Sequence, residues 1–216
     1  MNYLKVTLGY FLVSLQLISS AYSGDSIEAK SSSWLILGDS LSAAYGLQSD
    51  QGWVALLQKR LEDKNANIEV VNASISGETT SGGWQRLPRL MRSHQPNLLV
   101  IELGANDALR GQNLTATKQN LDRMIRLCLE ADFECTPILL GIRLPTNYGP
   151  MYDRFLQKIY RDLAQQYQIP FDPFFLEDVA LDLDLMQEDA LHPNALAQPL
   201  ILERVWRLLE FGVAQK

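Results

Sequence analysis

Four continuous apolar runs constrain this chain more than any other feature: SWLILG (33–38), IEVVNA (68–73), NLLVIEL (97–103) and TPILLGI (136–142). Such runs, with little polar alternation, read as strands covered on both faces. Between them the apolar residues return with helical spacing. Trp53, Leu56, Leu57 and Leu61 share one helical face, as do Leu121, Met124, Ile125 and Cys128, and then Phe155, Ile159 and Leu163. A short fifth strand is expected near IPFDPF (169–174), and Ile201, Val205 and Leu208 mark a C-terminal helix. Parallel strands need crossover connections, usually helices. The alternation therefore predicts the α/β class, a three-layer α/β/α sandwich around a five-stranded parallel sheet. No low-complexity linker or internal repeat divides residues 24–216, which are expected to form a single domain.

Residues 1–23 stand outside that pattern. Lys5 precedes an apolar run from Val6 to Ile18, shorter than the roughly 18 residues of a membrane span, and small residues follow at Ala21 and Ser23. This is the layout of a signal peptide removed on export. An uncleaved anchor is the alternative, but no second apolar helix supports it. The expected location is periplasmic or secreted, with no stable membrane insertion after cleavage. Export places Cys128 and Cys135 in an oxidising compartment, and both a disulfide and two buried free thiols remain open. Nothing near them forms a ligand set, so no metal is implied. The net charge of −6, without any cluster of five or more Lys/Arg, argues against a nucleic-acid partner. The expected partner is a small molecule, and the chain is expected to act as a monomer.

Ligands of open parallel sheets bind outside the carboxyl ends of the strands. Strand one runs into GDSLS (38–42), strand two into NASISGET (72–79) and strand three into GAND (104–107), while DALHPN (189–194) precedes the last helix. All four polar segments are expected at one rim. Ser40 sits in the first strand-to-helix turn, and a serine hydroxyl attacks well only after a base takes its proton. The chain has two histidines, His94 and His192. His94 lies near a helix end away from the rim, so His192 is the candidate base. Pro193 disfavours helical geometry at His192, and Asp189, three residues earlier, can hold the second ring nitrogen and stabilise an imidazolium. Gly77 offers a backbone N–H unobstructed by a side chain, and Asn106 a neutral amide, as donors to an oxyanion. Each has a plain alternative: Ser40 as a helix cap, Gly77 as a turn glycine, Asn106 as a turn former. Their convergence on one rim favours chemistry.

GDSLS, the Gly77 block, GAND and DALHPN occur here in the order found in the SGNH (GDSL) hydrolases, and the chain resembles that family over nearly all of residues 33–211. The supporting stretches are LILGDSLSAAYGL, VVNASISGETT, ELGANDALRG, IRLPTNYG and MQEDALHPNALAQP. The resemblance implies a flavodoxin-like sheet and a serine esterase acting on acyl esters and thioesters (acyl-CoA, lysophospholipid and aryl esters). It implies Ser40 as nucleophile, His192 as base and Asp189 as its orienter. The amides of Ser40 and Gly77, with Asn106, form the implied oxyanion hole, and no cofactor is implied. Ala105 departs from the pattern, since relatives often carry a second glycine there. The G-x-S-x-G elbow of α/β-hydrolases is missing around Ser40, so that fold is not expected.

IRLPTNYG (142–149) resembles the segment that meets acyl chains in these enzymes. Leu109, Ile142, Leu144 and Pro145 are candidates for an acyl groove, and Arg143 and Tyr148 for positioning substrate. Ile142 and Leu144 equally fit as the end of the core. Two rival functions are a carbohydrate O-acetyl esterase, with a small acyl pocket, and a non-catalytic binding protein.

Overall fold

A computed structural model describes residues 32–214. The proposed signal segment 1–23 lies outside the described residues. Five strands, β1 (Ser32–Gly38), β2 (Ile68–Asn72), β3 (Leu98–Glu102), β4 (Thr136–Leu140) and β5 (Phe171–Asp172), pair in parallel in the order β2-β1-β3-β4-β5. That is the flavodoxin-like order, whose switch point lies between β1 and β3. Strands β1, β3 and β4 are buried almost throughout, which is why they read as unbroken apolar runs.

The helices are α1 (Trp53–Asp63), α2 (Thr80–His94), α3 (Ala105–Leu109), α4 (Leu114–Leu129), α5 (Pro150–Tyr167), α6 (Gln198–Leu209) and α7 (Phe211–Ala214). α1 packs with α6, while α4 packs between α2 and α5, which gives the two outer layers. α1 buries Trp53, Val54, Leu57 and Leu61. α5 opens on Pro150, whose fixed φ suits a first helical position.

Three expectations need correction. Phe155 does not join the buried face of α5 but is 48% exposed. The buried stripe is Leu156, Ile159, Tyr160, Leu163 and Ala164, which lies one residue round the helix and shares Ile159 and Leu163 with the expected face. On α6 the buried position is Leu209, with Leu208 only half-buried. No regular helix follows Ser40; residues 40–46 form consecutive turns, and α1 begins only at Trp53. The cap of that first turn is Asp39, whose Oδ1 accepts the Leu41 N–H at 3.0 Å.

Cys128 and Cys135 form a disulfide joining the end of α4 to the strand β4 entrance, with Cα atoms 5.4 Å apart. It closes the open alternative left by the sequence.

Candidate active site

The rim is built at the switch point. Ser40 follows β1, Asn106 lies in α3 just after β3, and Gly77 lies between β2 and α2. His192 arrives from the long connection between β5 and α6, where Met186 and Pro193 pair as an isolated antiparallel bridge. Around that bridge Gln187 N–H donates to the His192 carbonyl at 2.8 Å, and Asn194 Nδ2 donates to the carbonyls of Asp184 and Met186. Gln187 Nε2 ties the same turn to the Ser40 segment by donating to the Tyr45 carbonyl at 2.8 Å and the Pro193 carbonyl at 3.0 Å. Ala190 closes the turn at φ +51°, a left-handed conformation that costs a residue with a Cβ.

His192 Nε2 lies 3.0 Å from Ser40 Oγ, and His192 Nδ1 lies 2.7 Å from Asp189 Oδ2. The other carboxylate oxygen, Oδ1, accepts the backbone N–H groups of Leu191 and His192, each at 2.9 Å. Partial burial pushes Asp189 upward, but the backbone and ring hydrogen bonds of His192 and the Leu191 N–H outweigh it and hold the carboxyl at about 2. Asp189 therefore stays charged and can only accept, which assigns the proton on Nδ1 and leaves Nε2 to face the serine. The Tyr45 ring covers the imidazole with its centroid 4.6 Å away. His94 ends α2 and has no part in the cluster.

Among the described residues no acceptor pairs with the backbone N–H of Ser40 or of Gly77. Gly77 holds φ +78°, which a glycine adopts freely, and Arg110 donates to its carbonyl at 2.9 Å. Asn106 is half-buried, and its Nδ2 donates to Asp39 Oδ2 at 2.9 Å. Ala105 opens α3 after Gly104 at φ +120°, is 7% exposed and faces the cavity. The methyl that departs from the family pattern is thus part of the wall.

Ser40, Gly77, Asn106 and His192 border one cavity of about 970 Å³. Leu109, Ile142, Arg143, Leu144 and Pro145 line it as well. Ile142 and Leu144 are also buried in the core, so the two readings of these residues hold together. Tyr148 is not among the lining residues; Thr146, Gly149 and Pro150 of the same turn are. Sequence reasoning passed over Tyr45 and the far wall, where Phe174, Leu176, Ala180, Leu181, Met186 and Leu191 line the cavity from the β5–α6 connection. That stretch has no periodicity to announce it. Among the described residues no group of His, Cys, Asp and Glu could hold a metal ion, and no helix is long and apolar enough to cross a membrane.

A serine–histidine–aspartate chain at the switch point of a flavodoxin-like sheet defines a class, the serine hydrolases that lack the α/β-hydrolase elbow. Residues 36–198 match the model of the GDSL-like lipase/acylhydrolase family, and this chain belongs to that family. It is 47% identical over 183 residues to the esterase TesA of Pseudomonas aeruginosa, covering 85% of this chain and 90% of the relative. It is 44% identical to thioesterase 1/protease 1/lysophospholipase L1 of Escherichia coli K12, covering 82% of each. Among solved structures, the psychrotrophic esterase EstA from Pseudoalteromonas, inhibited by monoethylphosphonate, superposes with a TM-score of 0.79 at 39% identity, covering 85% of this chain and 99% of EstA.

Proposed function

We propose that this chain hydrolyses acyl esters and thioesters by two-step acyl transfer through an acyl-Ser40 intermediate. The observation that carries the reading is the hydrogen-bonded series Ser40 Oγ, His192, Asp189, with contacts of 3.0 and 2.7 Å, at the edge of a cavity of about 970 Å³. His192 Nε2 takes the hydroxyl proton as Ser40 attacks the carbonyl carbon, and the carbonyl oxygen becomes an oxyanion. The N–H groups of Ser40 and Gly77, with the Asn106 amide, receive that charge. Asp189 stabilises the imidazolium. His192 then protonates the departing alcohol or thiol. Water, deprotonated in turn by His192, attacks the acyl-enzyme; the adduct breaks its bond to Ser40 Oγ, which takes that proton back from His192 as the acid leaves.

The cavity favours one of the rivals. Its volume lies at the upper end of the range for small-molecule pockets, and its walls carry Leu109, Leu144, Leu176 and Leu181. An acetyl group would leave most of it unfilled, so the acyl part is a longer apolar chain, as the thioesterase and lysophospholipase names of the relatives also suggest. Residues 1–23 act as an export signal, residues 24–216 form one catalytic domain that works as a monomer, and the location is periplasmic or secreted. The disulfide fits an oxidising compartment.

The test is a fluorophosphonate probe together with p-nitrophenyl and CoA esters from acetyl to dodecanoyl. Labelling at Ser40, lost in Ser40→Ala, and kcat/KM rising from acetyl to longer chains is the expected result. An optimum at acetyl favours the carbohydrate O-acetyl esterase, and absence of labelling favours a binding protein.

A further inference from the structure

Two carboxyl groups lie buried beside the proposed nucleophile, and the acyl-transfer steps above leave both without a task. Asp39 and Glu102 are each 1% exposed. The parallel register of β1 and β3 sets Gly38 beside Glu102. Gly38 is needed there, because a Cβ would come within 2.7 Å of Glu102 Oε2 and of Ser42 Oγ. With the space clear, Glu102 Oε2 accepts the Asp39 N–H at 3.2 Å and the Ser42 hydroxyl at 2.8 Å. The Asp39 and Glu102 carboxyl groups thus lie buried in one hydrogen-bonded cluster with Ser42 and Asn106. Asp39 Oδ1 accepts the Leu41 N–H at 3.0 Å, and Oδ2 accepts Asn106 Nδ2 at 2.9 Å.

Two neighbouring buried carboxyl groups resist ionising together, because desolvation and mutual repulsion oppose the second charge. Burial pushes Asp39 up to about 6, against the Leu41 N–H, the nearby His192, and hydrogen bonds from Asn106 and Glu102. Burial and then the charge of Asp39 push Glu102 well above the usual carboxylate range. Asp39 has more groups favouring its charge, so of the two Glu102 is the one that holds its proton to higher pH. From α5, Tyr160 faces the pair with its hydroxyl donating to the Leu103 carbonyl at 3.0 Å. Burial and the charges of Glu102, Asp39 and Asp107 of α3 keep it neutral.

We propose that Glu102 is a positioning residue for acyl transfer: as the neutral acid it donates to Asp39, and the charged Asp39 so held keeps the Asn106 amide turned with one N–H on Asp39 and the other free for the oxyanion. The inference rests on the roles given above to Ser40, His192 and Asn106. An ionised Asp39 can only accept, so it admits Asn106 Nδ2 and rejects Oδ1. A second charge on Glu102 would remove that donor and add repulsion beside Asn106. Misplacing a transition-state donor by about 1 Å can cost about 10²-fold in rate. The device therefore fails as Glu102 loses its proton at alkaline pH.

Glu102→Gln keeps a donor for Asp39 and an acceptor for Ser42 and the Asp39 N–H, but it cannot ionise. The experiment measures kcat against pH for wild type and Glu102→Gln with p-nitrophenyl octanoate, with circular dichroism at each pH and fluorophosphonate labelling of Ser40 in both. The expected result is equal kcat at neutral pH, an alkaline fall in wild type, and a plateau in Glu102→Gln that extends to higher pH. Glu102→Leu, which loses both the donor and the acceptor, should lower kcat about tenfold to a hundredfold with little change in KM. Superimposable alkaline profiles for wild type and Glu102→Gln, with Ser40 labelled in both, overturn the positioning role and leave the hydrolase reading standing. A wild type that does not label at Ser40 overturns both. If Glu102→Leu does not fold, the Glu102→Gln profile alone decides.

Discussion

Replacing Asn106 by Ala removes two hydrogen bonds that act on different quantities. One N–H reaches Asp39 Oδ2 at 2.9 Å in the resting protein, so its loss leaves a buried carboxylate oxygen without that donor. An unsatisfied buried acceptor costs about 1–3 kcal/mol of stability. For a chain of this size each kcal/mol moves Tm by roughly 2–4 °C. The other N–H matters only once charge develops on the substrate oxygen, and deleting one such donor lowers kcat by about 10²–10³, or about 2.7–4 kcal/mol. Because that bond is absent from the ground state, KM should change far less. Steady-state kinetics with p-nitrophenyl octanoate, alongside urea unfolding, reads both effects on one sample. Asn106→Asp should be worse on each measure, because it sets a third carboxyl against Asp39 and Glu102. If folded Asn106→Ala loses stability but keeps kcat within about fivefold of wild type, Asn106 serves Asp39 alone. The oxyanion would then rest on the amides of Ser40 and Gly77.

His192→Ala should cost about 10⁶-fold in kcat, whereas His94→Ala, at the end of α2, should leave it unchanged; exchange of these results would exchange the two histidines. Asp39 and Glu102 titrate higher folded than unfolded, so the folded state holds more protons. Their stabilisation is full below about 4 and is lost as pH rises, through about 6 for Asp39 and further for Glu102. The unfolding free energy of Glu102→Gln relative to wild type should therefore grow with pH, and a constant difference from pH 4 to 9 would refute the assignment. Asp189 works in the opposite sense, with stabilisation lost only as pH falls from 3.8 toward 2. Replacing Cys128 and Cys135 together by Ala should lower stability by about 2–3 kcal/mol, as expected for so short a loop, without changing kcat; altered kinetics would tie the disulfide to the site. Ala190→Gly should raise stability by up to about 1 kcal/mol, since relief of the left-handed strain exceeds the added freedom of the unfolded chain. A loss above about 1 kcal/mol in urea unfolding would show that the turn is not strained.

The strands were readable because a sheet covered on both faces demands unbroken apolar sequence, and β1, β3 and β4 meet that demand. The meeting of Ser40, Asp189 and His192 was readable because polar segments at strand ends converge in a parallel sheet. α2 was not announced by periodicity, since Gly82, Gly83 and Pro88 interrupt its helical signal. Gly83 is there for contact, as a Cβ would come within 2.5 Å of Leu103 Cδ1. The pairing of Asp39 with Glu102 was invisible for another reason. Carboxylates in a sequence read as solvated, and only the register that sets Gly38 beside Glu102 brings these two together. The far wall of the cavity is irregular chain from the β5–α6 connection, which no local pattern announces.

The cavity wall comes in separate pieces, one after each strand, and the pieces are unequal in what they carry. The connection from β5 to α6 bears Phe174, Leu176 and Leu181 of the wall and, farther along, Asp189 and His192. A change of length there would carry His192 away from Ser40. The connection from β4 to α5 bears only wall, from Ile142 to Gly149, anchored where Asp153 Oδ1 accepts the Leu144 N–H at 2.8 Å. Gly149 closes it at φ +85°, a conformation that strains any residue with a Cβ even though the space beside it is open. Residues 145–148 can therefore change shape while Ser40, Asp189 and His192 stay in register, which makes this loop the evolvable part of the cavity wall.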